Sequence, residues 1–310
     1  SCGKTFRGEP YDGAWWGLIN AANYNDVYRM AVIWLATGEE AYARKAVDIL
    51  MEYARCYPDY EVHGNIPYNG PGRSGAQTLD EANFQRTFAM AYDILSGIMT
   101  EEEKALVRDN LFLPGAEFLL DHRHRQLHNH EVIINSAIAV IGILFQRNDY
   151  VRAALYEDYG IIYQLEKGML ENGMWFEGGF GYHFYALTSF FAFEKFALHT
   201  RYSIIHHPNY RKMMELLYDY LEPDYSIPML NDTNYAHLSS MKNLYEFAYR
   251  EIGGKKLAFI LNTYYLTESR DNLEAFLYGA DQIEPVMLPL KNHHTPAGTW
   301  GHTILRGKEG

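Results

Sequence analysis

Asn129 and His130 stand side by side at the head of an apolar segment, Val132-Ile133-Ile134-Asn135-Ser136-Ala137-Ile138-Ala139-Val140. An amide and an imidazole on the first turn of a buried helix face whatever lies beyond its N-terminus. The positive end of the helix dipole favours an anion there. Such a pair suits the grip of a carboxylate, with His128 beside it. The plainer alternative is an Asn N-cap followed by a helix-terminal His.

A second group follows about fifty residues later, in Gly173-Met174-Trp175-Phe176-Glu177-Gly178-Gly179-Phe180-Gly181-Tyr182-His183. Its glycines let backbone approach a ligand, and it delivers Tyr182 and His183 to the start of a helix, with Trp175 and Glu177 in the turn. A core role for any one of so many tyrosines is the competing reading. Two loops complete the set. Asn69 to Asp80, rich in Gly, carries Arg73 and Gln77 to the mouth of a helix, as a substrate-gripping loop or an ordinary connection. Pro228 to Asn234 puts Asp232 on a loop, where it binds substrate or caps the next helix.

These residues must be positioned by helices. From Trp15 to about Phe276 apolar residues recur at helical spacing, as in Val27, Met30, Ala31, Trp34, and strand-type alternation is nearly absent. Breaks are predicted at Thr37-Gly38, Tyr57 to Gly75, Ser96 to Thr100, Gln126 to Asn129, Asn148-Asp149 and Asn172 to Gly181. Thr100-Glu101-Glu102-Glu103 reads as a capping box. About nine or ten helices of roughly 12 to 22 residues, joined by short turns, predict antiparallel pairs. The fold class expected is all-α, an (α/α) toroid over residues 1–284, with a helical solenoid second; no fixed-period repeat supports the solenoid. From 285 to 310 the texture of Pro289, Pro296, Gly298 and Gly301, then Thr303-Ile304-Leu305-Arg306, reads as a linker and the first strand of a β domain.

Composition narrows the partners. The 310 residues are 48% hydrophobic and 21% charged, which is globular, and the net charge of -12 speaks against a nucleic-acid binder. Local basic groups still exist for a polyanion, in Arg73, His122, Arg123, His124, Arg125, His128 and His130. The 26 Tyr and 5 Trp exceed what a helical core requires, and such rings stack on sugars. No apolar run reaches the roughly 20 residues of a membrane span. Two cysteines, Cys2 and Cys56, exclude a disulfide framework. The opening Ser1 to Phe6 resembles half of a two-cysteine metal knuckle or a trimmed lipoprotein start. The spacing of His122, His124, His128 and His130 could also suit metal ligands, but Arg123 and Arg125 interleave and repel a cation.

Taken in order, Gln77-Thr78-Leu79-Asp80, Asn129-His130, Tyr182-His183 after Glu-Gly-Gly-x-Gly, and the closing Pro296 to Arg306 resemble the heparinase II/III-like polysaccharide lyases over most of the chain. The resemblance implies a helical toroid before an antiparallel β domain, a secreted or periplasmic bacterial enzyme, and an acidic, uronate-containing polysaccharide as substrate. It implies that Asn129 and His130 neutralise the substrate carboxylate and that Tyr182 acts as Brønsted base and acid. A further catalytic His, and in some members a zinc site, would lie in the β domain.

Elimination across C4–C5 of a uronate removes a proton α to a carboxylate, which requires that carboxylate to be neutralised, by the logic of an oxyanion hole. Tyr182 would need its pKa lowered from about 10. The positive helix end and nearby imidazolium or Arg73 charge are the expected causes. His130 would share the proton transfers if the leaving oxygen lay on the other side of the ring. No metal or organic cofactor is required. Two rivals stand. Glu177 and Asp232 could be the carboxyl pair of an inverting glycoside hydrolase, and a non-catalytic polysaccharide-binding module could keep the cleft without the chemistry.

Overall fold

A computed structural model describes residues 5–66, 69–234, 236–238, 242–266, 268–295 and 302–307. Ser1 to Lys4, with Cys2, and Pro296, Gly298 and Gly301 lie outside the described residues. The chain divides into two compact units, Ser1–Tyr163 and Gln164–Gly310.

In the first unit, α1 (Tyr11–Thr37) ends on Gly38, whose φ of 73° lets its N–H return to the Trp34 carbonyl. Gly38 and Glu39 alone separate it from α2 (Glu40–Cys56), so the two pack as a hairpin. Cys56 closes α2 with an exposed side chain. The stretch after it is not irregular throughout. A 3-10 turn, Tyr57–Asp59, leads into an antiparallel ribbon of β1 (His63–Ile66) and β2 (Gly70–Gly72). Its Gly, Pro and Asn content hides any strand alternation from the sequence.

The ribbon feeds α3 (Thr78–Leu95), which packs on α1 and most extensively on α6 (Asn129–Leu144). Between them the capping box forms as expected, Thr100 with Glu103, and opens α4 (Glu101–Val107). A π-turn, Arg108–Phe112, carries α4 into α5 (Leu113–Asp121), where Pro114 lacks the N–H that a regular helix would use. α6 is buried on every side from Val132 to Gly142, with Asn135 and Ser136 hydrogen-bonded inside it. α7 (Asn148–Leu155) follows, and α8 (Ile161–Lys167) spans the boundary of the two units along the chain. The break foreseen at Asn148-Asp149 falls just earlier, because Asn148 already begins the helix.

In the second unit, α9 (Phe180–Ala197) buries Phe180, Phe184, Phe190 and Phe193 and packs on α10 (Pro208–Tyr220). α11 (Lys242–Ile252), α12 (Lys255–Tyr264) and the short α13 (Leu273–Tyr278) complete the helices. β3 (Ser226–Ile227) pairs with β4 (Ala236–His237). β5 (His293–His294) pairs with β6 (Thr303–Ile304), so the strand read at Thr303 has a partner inside the stretch expected to be linker. The fold is all-α in class, with several helices shorter than expected. Among the described residues no helix is long and apolar enough to cross a membrane.

Candidate active site

The head of α6 is where the first constellation sits. His128, not Asn129, is the N-cap: its backbone is extended and its Nδ1 accepts the His130 N–H at 3.1 Å. Capping by the imidazole leaves the Asn129 side chain, almost wholly buried, clear of that task. His130 lies half-buried with its ring 4.5 Å from that of His128 and 5.8 Å from that of His124. Its Nδ1 is buried without a hydrogen-bond partner. Desolvation first, and then the neighbouring His128 and His124, push its pKa down to about 4, so it is a neutral imidazole at neutral pH.

His124 ties this helix head to the Arg73 loop, because its Nε2–H donates to the Asn69 carbonyl at 3.2 Å. Thr78 fastens the loop's other end, donating through N–H to Asn69 and through its hydroxyl to the Pro71 carbonyl at 2.7 Å. Gln77 is the N-cap position of α3, and its amide donates to Asp80 at 3.4 Å while its Oε1 is buried without a hydrogen bond. The Arg73 guanidinium lies over the rings of Tyr57 and Phe118, 5.5 and 5.4 Å from their centroids.

The residue that sequence reasoning missed is Glu81. Fully buried on α3, its carboxylate accepts from the Arg73 N–H (3.1 Å), the Ser74 N–H (2.7 Å), the Ser74 hydroxyl (2.8 Å), the Tyr57 hydroxyl (2.7 Å) and Gln85 Nε2 (3.0 Å). It clamps the loop that presents Arg73. An acid in the first turn of a helix reads as an ordinary dipole partner; only its position on the face shared with Phe84, Gln85 and Phe88 signals burial.

Arg123 is a correction to the basic set. It is buried against Glu131 at 2.8 Å and donates to the carbonyls of Ala153 and Asp158, so its charge is spent inside the unit. His122 likewise turns to the Phe118 carbonyl at 2.8 Å, its ring tilted against the Phe118 ring at 4.2 Å between centroids. Among the described residues no group of three His, Cys, Asp or Glu side chains is arranged to hold a metal ion.

The second unit gathers the other candidates. Trp175 is fully buried, its indole N–H donates to Glu177 at 2.6 Å, and its backbone N–H donates to His183 Nδ1 at 3.1 Å. His183 is buried too, and its Nε2–H donates to the Met213 carbonyl at 3.2 Å. Both its nitrogens therefore hold backbone, and burial lowers its pKa to about 4. Tyr182, one position earlier on α9, is only partly covered. Its pKa moves opposite to expectation: the Asp232 carboxylate, burial, the Asp232 hydrogen bond and Glu177 all raise it. Both carboxylates act in the same direction, and the phenol is protonated at neutral pH.

Residues 15–252 match the family described as heparinase II/III N-terminus. The chain belongs to that family. Relatives of this heparinase II/III member include an exo-oligoalginate lyase of Saccharophagus degradans, 30% identical over 181 residues, covering 56% of this chain and 24% of that protein. An alginate lyase of Stenotrophomonas maltophilia is 26% identical over 178 residues, covering 55% and 24%. The chain thus spans about a quarter of the length of these curated relatives. The fold is shared with a mutant of the heparan sulfate lyase HepC of Pedobacter heparinus, at a TM-score of 0.61 and 18% identity over 84% of this chain and 41% of that one. A heparinase III structure shares it at 0.53 and 15%, over 75% and 36%.

Proposed function

We propose that this heparinase II/III member is the helical catalytic part of a polysaccharide lyase, cleaving a uronic-acid-containing polymer by β-elimination. The observation that carries the reading is the head of α6: Asn129 beside a desolvated, neutral His130 with a buried, unpartnered Nδ1, in a family whose relatives here are named for alginate and heparan sulfate lyases. Helix-head N–H dipoles and the Asn129 amide would stabilise the aci-carboxylate that develops as the C5 proton leaves. A neutral imidazole fits a hydrogen-bonding or proton-accepting part there better than that of a fixed cation.

Arg73, clamped through Glu81, and Gln77 and His128 are proposed to hold the acidic polymer on the first unit. Tyr182 is proposed as base and acid on the second unit, with Glu177 and Asp232 beside it. Trp175 and His183, being buried, would support that loop rather than touch sugar. Residues to about 284 form the proposed catalytic domain and 285–310 the start of a β module. Such polymers are met outside the cytoplasm, and a periplasmic or secreted location follows from the same proposal.

The test is near-ultraviolet absorbance of the unsaturated uronate while the chain, Asn129→Ala and Tyr182→Phe are offered alginate, heparan sulfate, chondroitin and hyaluronan. A rise with one polymer that both substitutions abolish is expected. Release of reducing ends without that absorbance would replace the lyase by a hydrolase, and binding without either product would leave a binding module.

A further inference from the structure

One face of α1 is pinned to the Arg73 loop and to α2. Asn20 Nδ2 donates to the Ser74 carbonyl at 2.7 Å. The Tyr53 hydroxyl, in the last turn of α2, donates to Asn20 Oδ1 and accepts from Asn23 Nδ2, each at 2.8 Å. Trp16 precedes Asn20 by four residues and Asn23 by seven, so all three share that face. The indole therefore stands one turn, about 6 Å, outward of the Ser74 contact. There α2 gives way to its loop, and Trp16 is 61% exposed on a face that is covered further along the helix. A Cβ added at Gly17 would meet nothing within 4 Å, so the flank of α1 beside Trp16 is open. Trp15, equally exposed, lies about 100° round the helix, in line with Tyr11 and Leu18.

We infer that Trp16 is an aromatic platform on which a sugar ring of the acidic polymer stacks, in a subsite set apart from the bond that is cleaved. The inference rests on the acidic-polysaccharide reading for the identity of the polymer. Two observations choose this occupant. The ring is continuous, through Asn20 and Ser74, with the loop that presents Arg73. The Arg73 guanidinium is itself held over two aromatic faces, with its Nε buried and without a hydrogen-bond partner. A uronate residue has an apolar face of ring C–H groups and a carboxylate at its edge. The indole takes the first and a guanidinium takes the second. An apolar side chain of a protein partner would use the indole and leave the cation without an anion.

The subsite lies to one side of the proposed reacting centre. α3 packs on both α1 and α6, which share no extensive contact with each other. With the axes of packed helices about 8–10 Å apart, Trp16 is more than one such spacing from the head of α6. It meets a sugar only in a chain long enough to reach it.

Trp16→Ala removes an exposed ring and should fold. Oligosaccharides of alginate, heparan sulfate and hyaluronan, from disaccharide to octasaccharide, are offered and binding is followed by calorimetry and tryptophan fluorescence. Long oligomers should bind Trp16→Ala roughly tenfold more weakly than the unaltered chain, and the fluorescence change on binding should shrink. Disaccharides should bind both alike, Trp16→Phe should recover part of the affinity, and Trp15→Ala should match the unaltered chain. On the polymer that is cleaved, KM should rise while kcat holds. Equal affinity of Trp16→Ala for every length overturns the inference, and so does a loss that Trp15→Ala shares in full. A chain that sediments as a dimer, and becomes a monomer in Trp16→Ala with its polymer affinity intact, gives the ring to a second copy instead. Should the unaltered chain bind an oligomer yet form no unsaturated product, the lyase reading alone fails and the Trp16 comparison still decides. Should it bind none, the platform fails too.

Discussion

A histidine in water is half-charged near pH 6.5, and His130 is only half in water. With its pKa held at about 4 by desolvation and by two neighbouring imidazoles, it stays neutral across the range in which most enzymes are assayed. The kcat/KM profile should therefore show no inflection near pH 6.5 and should fall on its acid side only toward pH 4, where the ring takes a proton. A profile from pH 3.5 to 8 checks this, and an inflection at 6.5 would place His130 in solvent during turnover. On the other unit Tyr182 carries the opposite lesson. Its residue type suggested a base with a lowered pKa, and Asp232 and Glu177 raise it instead.

The element that carries the first set is α6, and two buried carboxylates fix what surrounds its head. Glu131 holds the segment before the helix, through Arg123 at 2.8 Å and the Arg125 N–H at 3.1 Å. Arg123→Ala leaves Glu131 buried and uncompensated, and should cost about 3–5 kcal/mol in urea unfolding. Glu81 holds the Arg73 loop. Replacing it by Ala strands the Ser74 N–H and hydroxyl and the Tyr57 hydroxyl, at roughly 1–3 kcal/mol for each unsatisfied group that stays buried. The milder Glu81→Gln should still fold, raise KM for the polymer several-fold and leave kcat within about twofold, since the loop binds rather than reacts. Equal loss of kcat and kcat/KM would move Glu81 from a binding loop to the reacting centre.

Over the whole molecule, His130, His183 and Glu194 shape stability against pH. His130 and His183 have folded pKa values near 4, below the usual 6.5, so the native state binds fewer protons than the unfolded one; their contribution is intact above pH 6.5 and is lost as pH falls toward 4. Glu194 on α9 is reversed. Burial raises it to about 7, only partly offset by hydrogen bonds from Ser203 and the Ile204 N–H, so its contribution is present below about 4.5 and lost as pH rises through 7. The thermal midpoint should rise from pH 4 and level off near pH 7, with the Glu194 loss offsetting part of the gain from the two histidines. Glu194→Gln should steepen the rise between about pH 5 and 7, and an equal rise in both proteins would show that Glu194 does not shape it.

The sequence by itself determined the helical class, because apolar spacing and the Thr100 capping box are local. It also showed α6 as a mostly apolar helix with Asn129, His130 and Glu131 at its head. The order of motifs was enough to point to the heparinase II/III family. What only the tertiary structure decided is what each polar group meets. Arg123 and Arg125 look alike along the chain, yet one is buried on Glu131 and the other exposed. His128 displaced Asn129 as the cap, and Glu81 meets a loop that begins twelve residues before it. Asp232 meets a tyrosine fifty residues away. Burial and charge act through space, with no period along the chain, so no spacing rule could have carried them.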